Sequence, residues 1–214
     1  MIKIERSLMA PKSLKEKRRY DGNDVVMQLK HDFYDKCYIC GIKPVQDPEI
    51  EHLLPHKNGK FPERKFDWQN LFWSCRHCNS IKNQTKYDEN VIDCCKRDPE
   101  MLIDFMLMGD SVIVNAKGNS DKEALVTAEL VNEVFNKKNT GMRIYKCQVR
   151  VDELFKEMYA LFDTLEKYQN NDRSIIVQRT LRGLLNRKSP FAEFKRNYIR
   201  IHQDRYLELM QYIN

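Results

Sequence analysis

Two Cys-x-x-Cys pairs, Cys37-Tyr-Ile-Cys40 and Cys75-Arg-His-Cys78, set the strongest constraint on how this chain can fold. Thiols at this spacing place two sulfurs on one edge of a metal, and two such pairs complete a closed tetrahedral Zn²⁺ site. The 34 residues between Cys40 and Cys75 exceed the gap of a compact zinc ribbon, so the metal is expected to clamp a loop with work of its own. The chain has 7 cysteines, an odd number, and four of them fall in the two pairs. That usage suits metal binding in a reducing compartment better than a disulfide framework. Cys94, Cys95 and Cys147 read as buried free thiols.

Between and beside the pairs lie Glu51-His52-Leu-Leu-Pro55-His56, then Asp67-Trp-Gln-Asn70-Leu71, then Cys78-Asn79-Ser-Ile-Lys82. In this order the segment resembles the HNH, or ββα-metal, endonucleases of the zinc-stapled kind, whose pattern runs C-x-x-C, [DE]-H-x-x-P, N-L, C-x-x-C-[NH]-x-x-K. More narrowly, the N-terminal stretch together with Cys37-Tyr-Ile-Cys40, Glu51-His52-Leu-Leu-Pro55-His56 and Cys75-Arg-His-Cys78-Asn79-Ser-Ile-Lys82 is similar to the PtuB family, the HNH component of Septu antiphage systems, also found beside some retrons. The broader resemblance implies a β-loop-β-α hairpin across a metal site and a DNA substrate. The narrower one implies a partner ATPase of the ABC/SMC-like type, PtuA, and a nuclease restrained until infection.

Phosphodiester hydrolysis needs an activated water, neutralisation of charge at the phosphate and help for the leaving oxygen. A hard divalent cation, Mg²⁺ or Mn²⁺, supplies the last two through one or two protein oxygens. Glu51 and Asn79 are the expected donors. His52, with an ordinary pKa near 6.5, is the expected general base. Adjacent strand residues point to opposite faces, so Glu51 must reach around or a bulge must turn one of the pair. By the resemblance, Asn70 holds the loop and orients the base. Lys82 lies one helical turn beyond Asn79, where its ammonium can meet a phosphate. His56 can contact the phosphate or leaving group, join the metal site, or simply follow Pro55 in the loop. His77 reads as a solvent-facing spacer, since four cysteines already fill the zinc site. Two departures stand out: the family usually has Asp where Glu51 stands, and often His where Asn79 stands.

Elsewhere the pattern is helical. Asp24 can cap a helix carrying Val25, Val26, Leu29 and Phe33. Glu51 to Leu54 fits a strand ended by Pro55, Asn58-Gly59 is a turn, a second strand lies around Trp68 to Trp73, and a short helix opens at Cys78. Further on, Asp98-Pro99-Glu100 starts a helical piece, Ser111 to Val114 a strand, and Ser120 with Glu123 forms a capping box. Apolar stripes follow at Leu125 to Phe135, Val151 to Tyr168, Ile175 to Leu185 and Phe191 to Leu209. The expected class is α+β and mostly α-helical: an arm and helix over 1–36, a nuclease core over 37–90 and a helical region over 91–214.

A net charge of +6 permits a nucleic-acid partner without requiring one. The opening arm and the Lys15-Glu-Lys-Arg-Arg19 cluster can grip phosphates, or serve as a solvated tail or docking segment. No signal-like or membrane-length apolar run is present, so a cytoplasmic protein without a membrane partner is expected. A zinc-stapled nucleic-acid-binding module without catalysis is the alternative; it leaves the spacing of Glu51, His52, Asn70, Asn79 and Lys82 unexplained.

Overall fold

Two antiparallel ribbons of two strands each organise the computed structural model, which describes residues 1–213. The first pairs β1 (Pro48–His52) with β2 (Leu71–Cys75) in unbroken register, Pro48 opposite Cys75 and His52 opposite Leu71. The second pairs β3 (Ile103–Met108) with β4 (Ser111–Ala116). Helices α1 (Lys12–Lys15) and α2 (Asn23–Asp32) precede the first ribbon, α3 (Arg76–Lys82) follows it directly, and α4 (Lys122–Asn136), α5 (Gly141–Gln169), α6 (Ile175–Leu184) and α7 (Ala192–Ile201) follow the second. The architecture is thus α+β and mostly helical. No described helix is long and apolar enough to cross a membrane.

Because β2 runs straight into α3, the second cysteine pair straddles a strand-to-helix junction. Cys75 ends the strand and Cys78 sits in the first turn of the helix. The first pair forms a tight turn in which Gly41 N–H donates to the Cys37 carbonyl, and Tyr38 N–H donates to the Trp73 carbonyl, which ties the turn to β2. Gly41 takes a φ of +80°, a conformation that disfavours any side chain.

α4 joins the two ribbons, since it packs on β4 and on α3. Asn132 and Asn136 of α4 bond backbone groups of β4, and Asn197 of α7 donates to the Phe105 carbonyl on β3. Both edges of the second ribbon are thereby closed. Buried apolar side chains from Met1 to Ile213 form one connected core, and the arm belongs to it. Met1, Ile2 and Ile4 are buried, and the Arg6 guanidinium lies 4.8 Å from the Trp68 ring and 5.1 Å from that of Phe72. Arg6 also donates to the Trp68 carbonyl at 2.7 Å, so it fastens the end of the inter-strand loop from inside the protein. Lys15, Lys17, Arg18 and Arg19 remain exposed.

Several element boundaries differ from those expected. β1 begins at Pro48 and ends at His52, because Leu53 to Pro55 already turn away to begin the loop. α3 opens at Arg76 rather than Cys78. The helix after Asp24 is capped by Gly22, while the Asp24 carboxylate accepts from Ser13 N–H at 3.0 Å. The cap of α4 is Asp121, whose carboxylate accepts from Ala124 N–H, not Ser120. Asp98 caps only a single 3-10 turn, Pro99–Met101, after which Ile103, Phe105 and Leu107 alternate inward as the unexpected strand β3. α5 starts at Gly141, well before Val151, with Thr140 as its cap.

Candidate active site and zinc centre

Pairing of β1 with β2 brings the two cysteine pairs together. The sulfurs of Cys37, Cys40, Cys75 and Cys78 all lie within 4.8 Å of one another and all four residues are buried. A regular tetrahedron with Zn–S bonds of about 2.3 Å has edges of roughly 3.8 Å, so the cluster fits Zn²⁺ with only slight contraction. The surroundings suit it as well. Arg150 of α5 donates through Nη2 to Cys75 Sγ at 3.2 Å, which places a cation against a cluster that is anionic once its thiols ionise.

His77 is turned inward, not toward solvent. It is buried, and its Nε2 donates to the Val134 carbonyl of α4 at 2.9 Å. Burial, aided by the nearby Arg150 charge, lowers its pKa to about 4, so it stays neutral. The reversal has a simple cause: α4 covers this face of α3, and a tertiary neighbour so remote in sequence leaves no local mark.

Across the ribbon from the cysteines an open cleft of about 670 Å³ is lined by Glu51, His52, His56, Asn79 and Lys82, with Lys57, Asn58 and Asp88 at its edge. Glu51 and His52 both reach it without a bulge. His52 is the last paired residue of β1, so the cleft wraps around the strand end and takes one side chain from each face.

Each polar group in the cleft has a definite anchor. His52 Nε2 lies 3.1 Å from the Lys65 carbonyl. A carbonyl only accepts, so Nε2 carries the proton and Nδ1 keeps its lone pair, without a hydrogen bond among the described residues. Burial lowers the His52 pKa, although the Lys65 carbonyl opposes the shift, and the ring is neutral at cellular pH. Its flanks are the rings of Tyr20, at a centroid distance of 5.0 Å, and His56, at 4.9 Å.

Asn70 grips both ends of the loop that leaves the strand. Its Oδ1 accepts from Leu54 N–H at 2.8 Å, and its Nδ2 donates to the carbonyls of Leu54 and Arg64, each at 2.9 Å. Arg64 adjoins Lys65, whose carbonyl holds His52. The amide therefore fixes the peptide next to the one that orients the imidazole.

Lys82 faces differently from what its helical position implied. It is only 2% exposed, and its ammonium lies 2.8 Å from Glu51 Oε1 while donating to the Leu53 carbonyl at 2.9 Å and the His52 carbonyl at 3.3 Å. Three oxygens enclose it, so its ammonium is engaged by Glu51 and the strand end. The Glu51 pKa is raised by burial, and Lys82 opposes that rise. Oε2 of Glu51 makes no protein hydrogen bond among the described residues. Asn79 Nδ2 donates to Glu49 Oε2, which leaves its Oδ1 unbonded. Two side chains lining one cleft thus each keep an oxygen of the kind that suits a hard cation without a hydrogen bond among the described residues.

Glu49, Tyr20 and Arg150 were not singled out from the sequence. Strand alternation, which puts Glu49 on the face of Glu51, was the one signal available for the first. Nothing local marks Tyr20 or Arg150, since each arrives from an element distant in sequence. Cys94 and Cys147 are buried away from the four-cysteine cluster and Cys95 is half-buried.

Residues 37–85 match the HNH endonuclease family. That stretch holds both cysteine pairs, Glu51, His52, Asn70, Asn79 and Lys82, and it ends before the second ribbon. No curated protein compared with the chain matches it. The chain therefore carries a nuclease-type domain, whose substrates are nucleic acids.

Proposed function

We propose that this protein is a metal-dependent endonuclease that hydrolyses DNA phosphodiester bonds at the cleft around His52. The observation that carries this reading is the state of His52: a neutral imidazole with Nε2 held by a backbone carbonyl and Nδ1 without a hydrogen bond among the described residues, in a cleft that Glu51 and Asn79 also line. His52 Nδ1 takes the proton of the attacking water, and the Lys65 carbonyl stabilises the imidazolium that results. Mg²⁺ or Mn²⁺, held by Glu51 and Asn79, supplies charge neutralisation at the phosphate and support for the leaving oxygen. Asn70 keeps the base in position, and Lys82 keeps Glu51 ionised and aimed. His56, packed against His52, is placed to touch the phosphate or the leaving group. Zn²⁺ on Cys37, Cys40, Cys75 and Cys78 is structural. Lys57, Lys60, Arg64 and Lys65 give the loop beside the cleft a positive face for the backbone of DNA.

We extend the proposal to the setting implied by the PtuB-like sequence: a cytoplasmic effector of antiphage defence whose partner is an ABC/SMC-like ATPase, PtuA. The helical region beyond residue 90, which the chemistry does not require, supports a docking role.

The deciding experiment is cleavage of supercoiled plasmid with Mg²⁺ or Mn²⁺ by the wild type and by His52→Ala, with and without the ATPase, beside single-stranded DNA and RNA. The substitution is expected to slow cleavage by about 10²–10⁴-fold. Zinc-loaded protein that retains DNA but never cuts would make it a binding module. Cleavage only with the ATPase would place control in the assembly.

A further inference from the structure

Glu49 stands beside the two proposed cation donors and belongs to neither. Alternation along β1 projects Glu49 and Glu51 from one face, the face that meets α3. Asn79 and Arg76 lie one turn apart on that helix, on a shared side. Between them they occupy both oxygens of Glu49: Asn79 Nδ2 donates to Oε2, and Arg76 Nε lies 3.7 Å from Oε1. A carboxylate can only accept, so this contact decides which edge of the amide faces which way. The nitrogen is committed to Glu49. The oxygen, the one atom of the side chain able to bind a hard cation, is directed elsewhere.

We propose that Glu49 is a positioning residue for the divalent cation: it holds the Asn79 amide in the orientation that presents Oδ1, and Arg76 steadies Glu49 in turn. That role rests on Glu51 and Asn79 being the cation donors. An asparagine is an ambiguous ligand, because a half-turn about its last bond exchanges an acceptor for two donors of nearly the same shape. Glu49 removes the ambiguity before any cation arrives. An Asp in place of Glu51 and a His in place of Asn79, the residues the resembled family often carries there, have no such need, since neither is an amide; the requirement comes with Asn79.

The test is Mn²⁺ binding to the zinc-loaded, full-length protein, followed by electron paramagnetic resonance of the free ion, with zinc content and melting temperature as controls of folding. Glu49→Ala is expected to weaken Mn²⁺ binding by roughly 10-fold, at the lower end of the effect of losing a partner of a metal ligand. Glu49→Gln still offers an oxygen to Asn79 Nδ2 and is expected to stay within about 3-fold of wild type. Glu49→Ala combined with Asn79→Ala should bind no more weakly than Asn79→Ala alone, since one residue acts through the other. Equal weakening by Ala and Gln would assign the effect to charge and overturn the orienting role, as would an additive double variant. Unchanged binding in Glu49→Ala, with Asn79→Ala impaired, would overturn the role of Glu49 alone. A wild type that fails to bind Mn²⁺, or Asn79→Ala that binds normally, would remove the donor assignment itself.

Discussion

The two ribbons share a plan and differ in how they are held. Both are two-stranded and antiparallel, both are covered by helices, and two strands alone are marginal in water. The second is closed by the short turn at Gly109, fills alternate positions with Ile103, Phe105, Val112 and Val114, and has its edges bonded by asparagines from α4 and α7. The first puts Glu49, Glu51 and His52 on its strands and connects the strands by residues 53–70, of which Pro55 to Asn58 line an open cleft. Charged groups at a strand end contribute little cohesion; buried Leu71, Phe72 and Trp73 of β2 and the four thiols gathered at the other end remain to hold the ribbon. The first ribbon, polar and open at one end, thus adds four convergent thiols at the other to the packing of β2, whereas the second has packing and asparagine bonds alone.

The largest expected effect follows from that contrast. Structural zinc contributes on the order of 10 kcal/mol to the folding of small zinc domains. Cys75→Ser, or removal of zinc by a chelator, should therefore abolish amide-exchange protection in β1 and β2 and spare most of that in β3 and β4. Equal loss in both ribbons, measured by hydrogen exchange, would make them one cooperative unit and break the comparison.

Next comes Lys82→Met. It leaves the Glu51 carboxylate buried without its cation, a change that typically costs about 3–5 kcal/mol. The pH dependence carries a sign. Glu51 has a folded-state pKa raised by burial, so its contribution to stability is present at low pH and is lost as pH rises through that pKa. Without Lys82 the rise is larger. The penalty measured by urea unfolding should therefore be greatest near neutrality and shrink in acid. A penalty independent of pH would mean that Lys82 acts through its carbonyl contacts and not through Glu51.

Much of this was legible beforehand, and the parts that were not share a cause. Cys37, Cys40, Cys75 and Cys78 announce a metal site by spacing alone, and they do converge. The hairpin around Glu51 and the stripe on α5 follow from local periodicity. The burial of Lys82 was not legible because helical spacing states which residues share a side but not what covers it. β1 passes over that side, and a buried ammonium enclosed by three oxygens results. His77 was hidden in the same way by α4. β3 was missed because Asp98-Pro99-Glu100 is a sound helix start that the chain abandons after one turn, when Ile103 and Phe105 find a better arrangement against β4 and α7.

The smallest effect gives the sharpest comparison, because each ribbon has an asparagine doing the same thing. Asn70 bonds both the N–H and the carbonyl of Leu54, and Asn132 bonds both the N–H and the carbonyl of Val114. Truncation of Asn132 leaves two backbone groups short of partners and truncation of Asn70 leaves three, counting the Arg64 carbonyl, a loss of about 1–3 kcal/mol in either case. Asn70→Ala and Asn132→Ala should therefore lower the urea midpoint by similar amounts. Their effects on cleavage should part company. Asn70 also bonds the Arg64 carbonyl, one peptide from the group that orients His52, and a misplacement of about 1 Å at a catalytic group can slow a reaction by 10²-fold. Asn132 touches nothing in the cleft, and its variant should cut at the wild-type rate once folded. Asn132→Ala that slows cleavage as much as Asn70→Ala would draw the second ribbon into the catalytic machinery, with α4, which packs on both β4 and α3, as the connection.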